Sequence, residues 1–454
     1  MKSERQAPNR PVPRPAMAAR IAAGEDVYGI VHWGLNTYTD SEWGYGDADP
    51  GRLDPSAFDA DQIAGACAAG GLCGLIVVAK HHDGFCLWPT ATTDYHLAKT
   101  PFWRSRATGR DYVGEMADAC RRAGLKFGVY CSPWDRNNAD YGTAKYVATY
   151  HAQIRELLDG RYGDVFEMWF DGANGGDGYY GGARETRRIG SDYYRFGEVF
   201  DFVRRLQPGI SIFASESDGS DLRWPGNERG ILDPDSRATV VPTGGFCDGT
   251  FGNPGYVPQR NTGTPSGSFF RMAEADFPLR RGWFWHEGEN GTTKTGETLA
   301  KLYLGTVGNG GTMNIGIAPD KTGRLCADDV EALRRFGEYR RALFANPAKE
   351  GEPFNLVVMR EDVSRGERVD GWEFLADGVP ILSGASIGAK RIRLLPEPCR
   401  AKTREIRVVK GVGDPEVTFR LFHAPEEMAL RILDAPVGED ETDTAKWMQA
   451  TPVG

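Results

Sequence analysis

The chain has 454 residues, 40% hydrophobic and 26% charged, enough for two or three domains around a large core. Its formal net charge is −9 and no stretch of it is a run of basic residues, so nucleic acid and anionic membranes are poor partners. The opening stretch MKSERQAPNRPVPRPAMAARI has charge and proline but no apolar run. It reads as neither a signal peptide nor a membrane span, and the expected location is cytoplasmic as written, or periplasmic or secreted if a leader was removed.

In chain order, short apolar runs predict strands at Val27–His32, Leu75–Lys80, Lys126–Cys131, Val165–Asp171, Ile210–Ala214, Thr239–Pro242, Trp283–His286 and Met313–Ile317. Amphipathic runs between most of them predict helices at Asp59–Ala69, Asp111–Ala123, Thr143–Leu158, Tyr193–Leu206 and Glu297–Val307, with Asp328–Phe344 closing this half. Buried strands alternating with helices predict an α/β fold, a (β/α)8-like TIM barrel over residues 1–348. Val241–Phe270, rich in Gly, Pro, Thr and Ser, reads as loop. From residue 349 the texture changes to alternating runs such as FNLVVM, GWEFLA, KRIRLL and VTFRLFH, which predict a small C-terminal antiparallel β-sandwich over 349–454. The final acidic stretch, Gly438–Gly454, is expected to be loosely held. The eight cysteines are scattered without a CxxC pair, so buried free thiols are expected rather than a disulfide framework or a structural zinc site.

The run FEMWFDGANGG, from Phe166 to Gly176, ends an apolar strand in a carboxylate. Alternation puts Phe166, Met168 and Phe170 toward helices and Glu167, Trp169 and Asp171 into the barrel. Asp171 then sits at the carboxyl end, where such barrels carry their chemistry. An aspartate here also suits a turn cap. Other predicted strand ends bear His32-Trp33, then His81-His82-Asp83, then Tyr130 followed by Ser132, Trp134 and Asp135, and finally Trp285-His286. Four of the seven histidines thus gather on one rim. A metal site is not expected, because no HxH or HExxH occurs and adjacent histidines on an extended chain point apart. A sugar pocket fits better, with imidazole and indole groups meeting hydroxyls and ring faces; the 11 tryptophans are a weak hint the same way. Glycoside hydrolysis commonly needs a second carboxyl. Glu216, Glu228, Glu274, Glu287 and Glu289 are candidates that spacing alone does not separate.

The motifs YGIVHWG, SEWGYGD, AKHHDGFCLWPT, GVYCSPWDRNNADYG, EMWFDGANGG, RWPGNE, GWFWHEGE and NIGIAPDKTG, in this order over residues 28 to about 345, resemble the α-L-fucosidases of glycoside hydrolase family 29. The resemblance implies an often irregular barrel, no cofactor, a fucosylated oligosaccharide or glycoconjugate as partner, and retaining double displacement. It implies Asp171 as nucleophile and, through the subgroup favouring α-1,3/1,4-linked fucose, Glu228 as acid/base. It places His32, Glu42, Trp43, His81, His82, Tyr130 and Trp169 against the sugar, with Arg223 and Trp224 as neighbours. Trp285 or Phe284 is expected to face the C5 methyl. The chain departs from the pattern in SESDGSD (Ser215–Asp221), in EADFPLRRGWFWH, and in TMN where LLN is usual. Two rival readings are a retaining glycosidase for another sugar and a non-catalytic carbohydrate-binding barrel. Nothing in the sequence sets an oligomeric state.

Overall fold

The computed structural model describes residues 10–106, 109–215, 217–244, 246–247, 250–251 and 255–438. Eight parallel strands close into a barrel in simple sequence order: β1 (Val27–Val31), β2 (Gly74–Lys80), β3 (Lys126–Cys131), β4 (Glu167–Phe170), β5 (Ser211–Ala214), β6 (Leu222–Arg223), β7 (Met272–Pro278) and β8 (Thr312–Ile317), the last pairing back onto β1. All are buried except at Lys126, which opens β3, as strands covered by helices outside and filled by side chains inside must be. Val27, Leu75, Val77, Val129, Met168 and Ile212 face the helices, while Tyr28, Ile30, Ile76, Val78, Tyr130 and Phe213 fill the interior.

Helix α1 (Pro15–Ala23) precedes β1. The layer outside the barrel is α2 (Ala60–Ala69), α3 (Tyr112–Ala123), α4 (Ala144–Leu158), α5 (Phe196–Leu206), α6 (Gly296–Thr306) and α7 (Ala327–Leu343). Asp59 and Asp111, predicted inside helices, are instead the caps of α2 and α3, accepting from the Gln62 and Gly114 amides. α1 was not foreseen from the sequence. It closes the barrel floor by inserting Arg20, whose Nη1 pairs with Glu167 at 2.6 Å and whose Nε bonds the Tyr28 hydroxyl at 3.1 Å.

Two predicted strands are corrected. Thr239–Val240 pairs antiparallel with Phe269–Phe270 outside the barrel; the sixth strand is the short Leu222–Arg223, only seven residues after β5 and with no intervening helix. Trp283–His286 is not a strand, because the Glu42 carboxylate, rather than a neighbouring strand, takes the Trp283 and Phe284 amides at 3.0 Å each. The seventh strand is MAEADFP, whose inward Glu274 and Asp276 break the apolar run that marks the other strands. Phe166 also differs from expectation: it lies before β4 begins, stacks on Tyr28 and joins the interior, so strand alternation does not reach it.

The C-terminal part is two three-stranded antiparallel sheets. β9 (Phe354–Glu361) is flanked by β12 (Arg391–Cys399) and β14 (Val417–Phe422), and β10 (Val369–Ala376) by β11 (Val379–Gly384) and β13 (Arg404–Gly411). Alternation on β9 joins the two halves: Val357 and Met359 enter the sandwich core beside Trp372 and Phe374, while Leu356 and Val358 pack onto the barrel's outer layer. An unpredicted helix, α8 (Glu426–Asp434), follows β14. From residue 439 the acidic tail lies outside the described residues. Among the described residues no helix is long and apolar enough to cross a membrane.

Candidate active site

The carboxyl ends of β1, β2, β4 and β7 converge on one cavity lined by His32, Glu42, Trp43, His81, His82, Trp169, Asp171, Glu228, Asp276 and Trp283, over Ile30. Asp171 lies one residue beyond β4. Its Oδ1 accepts the Ala173 amide at 2.7 Å, and its Oδ2 accepts the Tyr130 hydroxyl at 3.1 Å. The turn bond and the site position thus coexist in one side chain.

His81 and His82 do not point apart. β2 ends at Lys80, and a turn closed by Gly84 N–H on the His81 carbonyl sets the two rings 4.2 Å apart. Gly84 is required there: φ is +82°, and a Cβ would overlap the Asp135 carboxylate. A bulge between Val78 and Lys80 sends the Lys80 ammonium outward to Gln153 and Tyr146 of α4, out of the cavity.

Hydrogen bonds assign the imidazole protons. Ser132 donates its hydroxyl proton to the Trp134 carbonyl at 2.9 Å, so at 2.7 Å it accepts from His82 Nδ1–H. His82 Nε2 is then a lone-pair nitrogen, 3.8 Å from Asp171 Oδ2. His81 Nδ1 receives the Asn36 amide at 3.4 Å, which leaves Nε2–H as a donor. Burial holds all three rings neutral. It pushes His32 down to about 3 and His82 to about 4, the latter against the pull of Asp171, and takes His81 well below the usual imidazole range. Two acceptors facing each other, His82 Nε2 and Asp171, call for a hydroxyl donor between them.

The opposite wall is held by charge. His286 bridges Glu42 and Asp40 at 2.7 Å each; burial opposes its protonation, but the Glu42 bond and charge, with Asp40, raise it to about 9. Glu42 in turn fixes the Trp283 and Phe284 backbone, and the Trp283 indole N–H donates to Glu228 Oε2 at 3.2 Å. Asp276 is buried beside them. Burial, then the Glu228 charge, put its carboxyl well above the ordinary carboxylate range.

Asp171, Glu228 and the buried Asp276, with neutral imidazoles and indole faces around them, suit cleavage of a glycosidic bond. Comparison with known proteins decides the family. A family model described as "Alpha-L-fucosidase" matches residues 20–342. The chain belongs to the alpha-L-fucosidase family. It is similar to "Putative alpha-L-fucosidase 1" of Oryza sativa subsp. japonica, 39% identical over 451 residues, covering 86% of this chain and 81% of that protein. It is also similar to "Alpha-L-fucosidase 1" of Arabidopsis thaliana, 35% identical over 336 residues, covering 74% of this chain and 62% of the relative. Among solved structures, a glycoside hydrolase 29 family member from an unknown rumen bacterium superposes with a TM-score of 0.83 at 34% identity, covering 92% of this chain and 78% of that one. This alpha-L-fucosidase family member is therefore a glycoside hydrolase, on a TIM barrel followed by a β-sandwich.

The fold gathers most, not all, of the residues singled out in the sequence. His32, Glu42, Trp43, His81, His82, Trp169, Asp171 and Glu228 line this fucosidase's cavity, and Tyr130 reaches it through Asp171. Trp43 meets His82 edge-on at 5.2 Å; Trp169 stacks on Phe213 at 3.9 Å and anchors its N–H on Glu274. Arg223 is turned away and fully buried, donating to the carbonyls of Arg260, Arg237 and Arg271. Trp224 lies outside the lining, under the Arg260 guanidinium. Of the other candidate carboxyls, Glu274 is spent beneath the cavity on Trp169, Asn314 and Thr312; Glu289 holds the Gly282 amide; Glu287 is exposed; and Glu216 lies outside the described residues. Trp285 faces the Lys321 ammonium, and Phe284 packs edge-on against His32 and His81.

Sequence reading missed Asp276 and Trp283. Asp276 was legible in principle, two residues after Glu274 on one strand face. Trp283 was not, since its place depends on Glu42, 241 residues away. Among the described residues no group of three or more His, Cys, Asp or Glu side chains is arranged to hold a metal ion.

Proposed function

We propose that this protein is an exo-acting, retaining α-L-fucosidase that removes terminal α-linked L-fucose, with α-1,3/1,4 linkages in branched glycans as its preferred targets. Asp171 is the nucleophile and Glu228 the acid/base. The supporting observation is that both carboxyls border one cavity, together with neutral imidazoles that donate and accept in alternation.

The ionised Asp171 attacks the anomeric carbon while Glu228 gives its proton to the departing glycosidic oxygen. The resulting fucosyl ester is opened by water, which Glu228, now a carboxylate, deprotonates. Tyr130 O–H lies on Asp171 Oδ2, so it orients the attacking carboxylate and takes up charge as the ester breaks. One sugar hydroxyl donates to His82 Nε2 beside Asp171, and His81 Nε2–H donates to its neighbour. Trp283 supplies the apolar face for the C5 methyl, worth roughly 1–3 kcal/mol against a hydroxymethyl sugar.

Asp171→Gly should lose turnover of an aryl fucoside with circular dichroism unchanged. Glu228→Ala should lose far more activity on glycans than on the aryl fucoside and regain part of it with azide. NMR of the first-formed sugar should show the α-anomer. Near-normal rates in Asp171→Gly, or a β-anomer product, refute the mechanism. Parallel digestion of Lewis-type and α-1,2-fucosylated oligosaccharides tests the linkage preference.

A further inference from the structure

A second cleft, of about 460 Å³, lies at the opposite end of the barrel, where the strands begin and the C-terminal sheets dock. Five cations surround it: Arg340 and Arg341 in the last turn of α7, Arg360 on β9, Lys390 just before β12, and Arg420 on β14. Among the described residues the single acid in its lining is Asp26. The cations are scattered from residue 340 to residue 420, which is why the sequence shows no basic run. In a chain of net charge −9, the fold concentrates a local excess of four positive charges here.

Part of this excess is structural. Lys390 and Arg340 both pair with Asp26, and Arg340 also caps the Gly71 carbonyl at 2.7 Å. Arg341, Arg360 and Arg420 are different. All three are exposed, and among the described residues none forms an ion pair. The register places two of them together: Val358 pairs with Arg420 and Arg360 with Thr418, so Arg360 and Arg420 are diagonal neighbours on one sheet face. Like charges so placed repel, and Arg360 also opposes the charge on Lys390. The floor is aromatic. Phe344 and Phe422 meet edge-on at 5.4 Å, and the Arg420 guanidinium lies over Phe422 at 5.1 Å.

We infer that this cleft binds a compact polyanion carrying clustered sulfate or phosphate groups, with a ring of the ligand resting on the Phe344–Phe422 floor. Guanidinium forks match tetrahedral oxyanions geometrically, and an anion relieves the repulsion between Arg360 and Arg420. Two sources supply that chemistry: a sulfated stretch of glycan, which would tether the enzyme to its polymer, or a small phosphate compound. The site faces away from the sugar cavity and stands independently of the roles of Asp171 and Glu228.

Isothermal titration of the full chain at 150 mM salt, with inorganic triphosphate and with a heparin-derived sulfated tetrasaccharide, tests this. Saturable binding of at least one probe is expected. The paired charge reversal Arg360→Glu/Arg420→Glu should weaken it tenfold or more, while hydrolysis of an aryl fucoside is unchanged. Arg341→Gln, on the exposed side of α7, serves as a second variant free of sheet effects and should weaken binding several-fold. Binding of the tetrasaccharide points to a glycan tether, and binding of triphosphate alone to a small phosphate. No binding of either probe, or equal binding by wild type and all variants, overturns the inference.

Discussion

Replacing His286 with Gln probes the charge that holds the site wall together. Its imidazolium is shared between Glu42 and Asp40 at 2.7 Å each, and its pKa is raised from 6.5 to about 9. That displacement, taken whole, corresponds to about 3 kcal/mol. The Asp40 side chain is 70% exposed, so water screens that arm, and about 2 kcal/mol is the reasonable expectation. Because the folded pKa lies above the unfolded one, the contribution is complete below about pH 6.5 and disappears as pH rises through 9. His286→Gln keeps a neutral donor but loses the charge. Urea denaturation at pH 6 should therefore show the variant about 2 kcal/mol less stable than wild type, with the gap closing to a few tenths by pH 10. Since Glu42 carries the Trp283 amide and Trp283 contacts Glu228, kcat/KM at pH 6 should fall as well. A stability gap of the same size at pH 6 and pH 10 would show that packing, not the imidazolium, is responsible.

Three further substitutions test other parts of the structure. Tyr130→Phe removes the hydroxyl bonded to Asp171 and should cost about 1.5–3 kcal/mol of transition-state stabilisation, a ten- to hundredfold drop in kcat/KM, with little change in thermal midpoint. Gly84→Ala forces a Cβ onto Asp135 at a positive φ and should destabilise by about 2 kcal/mol or more, read by urea denaturation. Arg20→Met strands the buried Glu167 and should cost about 3–5 kcal/mol; adding Glu167→Gln should recover part of that loss, and no recovery would deny the ion pair its role.

What was legible in the sequence divides by the range of the interactions. β3 is found residue for residue, and β1, β2, β4, β5 and β8 within one or two residues, because each is an apolar run bounded by turn residues. β7 escaped because its inner face carries Glu274 and Asp276, and β6 because two residues leave no periodicity to read. The aromatic segment Trp283–His286 imitates a strand, yet its amides are satisfied by a carboxylate from the first βα loop. An extended chain would set the neighbours His81 and His82 apart; they meet because β2 ends at Lys80, after a bulge against β3 that composition does not reveal.

By itself, then, the sequence determined the alternating strand-and-helix order, the sandwich that follows it, and the set of polar residues at strand ends from which the site is drawn, because periodicity and composition act over a few neighbouring residues. Only tertiary structure decided that Glu42, Glu228 and Asp276 share a cavity with Asp171, that Arg223 serves the scaffold instead of the cavity, which nitrogen of His81 and of His82 carries its proton, and that five distant cations share one cleft. Those outcomes rest on burial and on contacts between residues tens to hundreds of positions apart, and the closure of the barrel is what brings them within reach of one another.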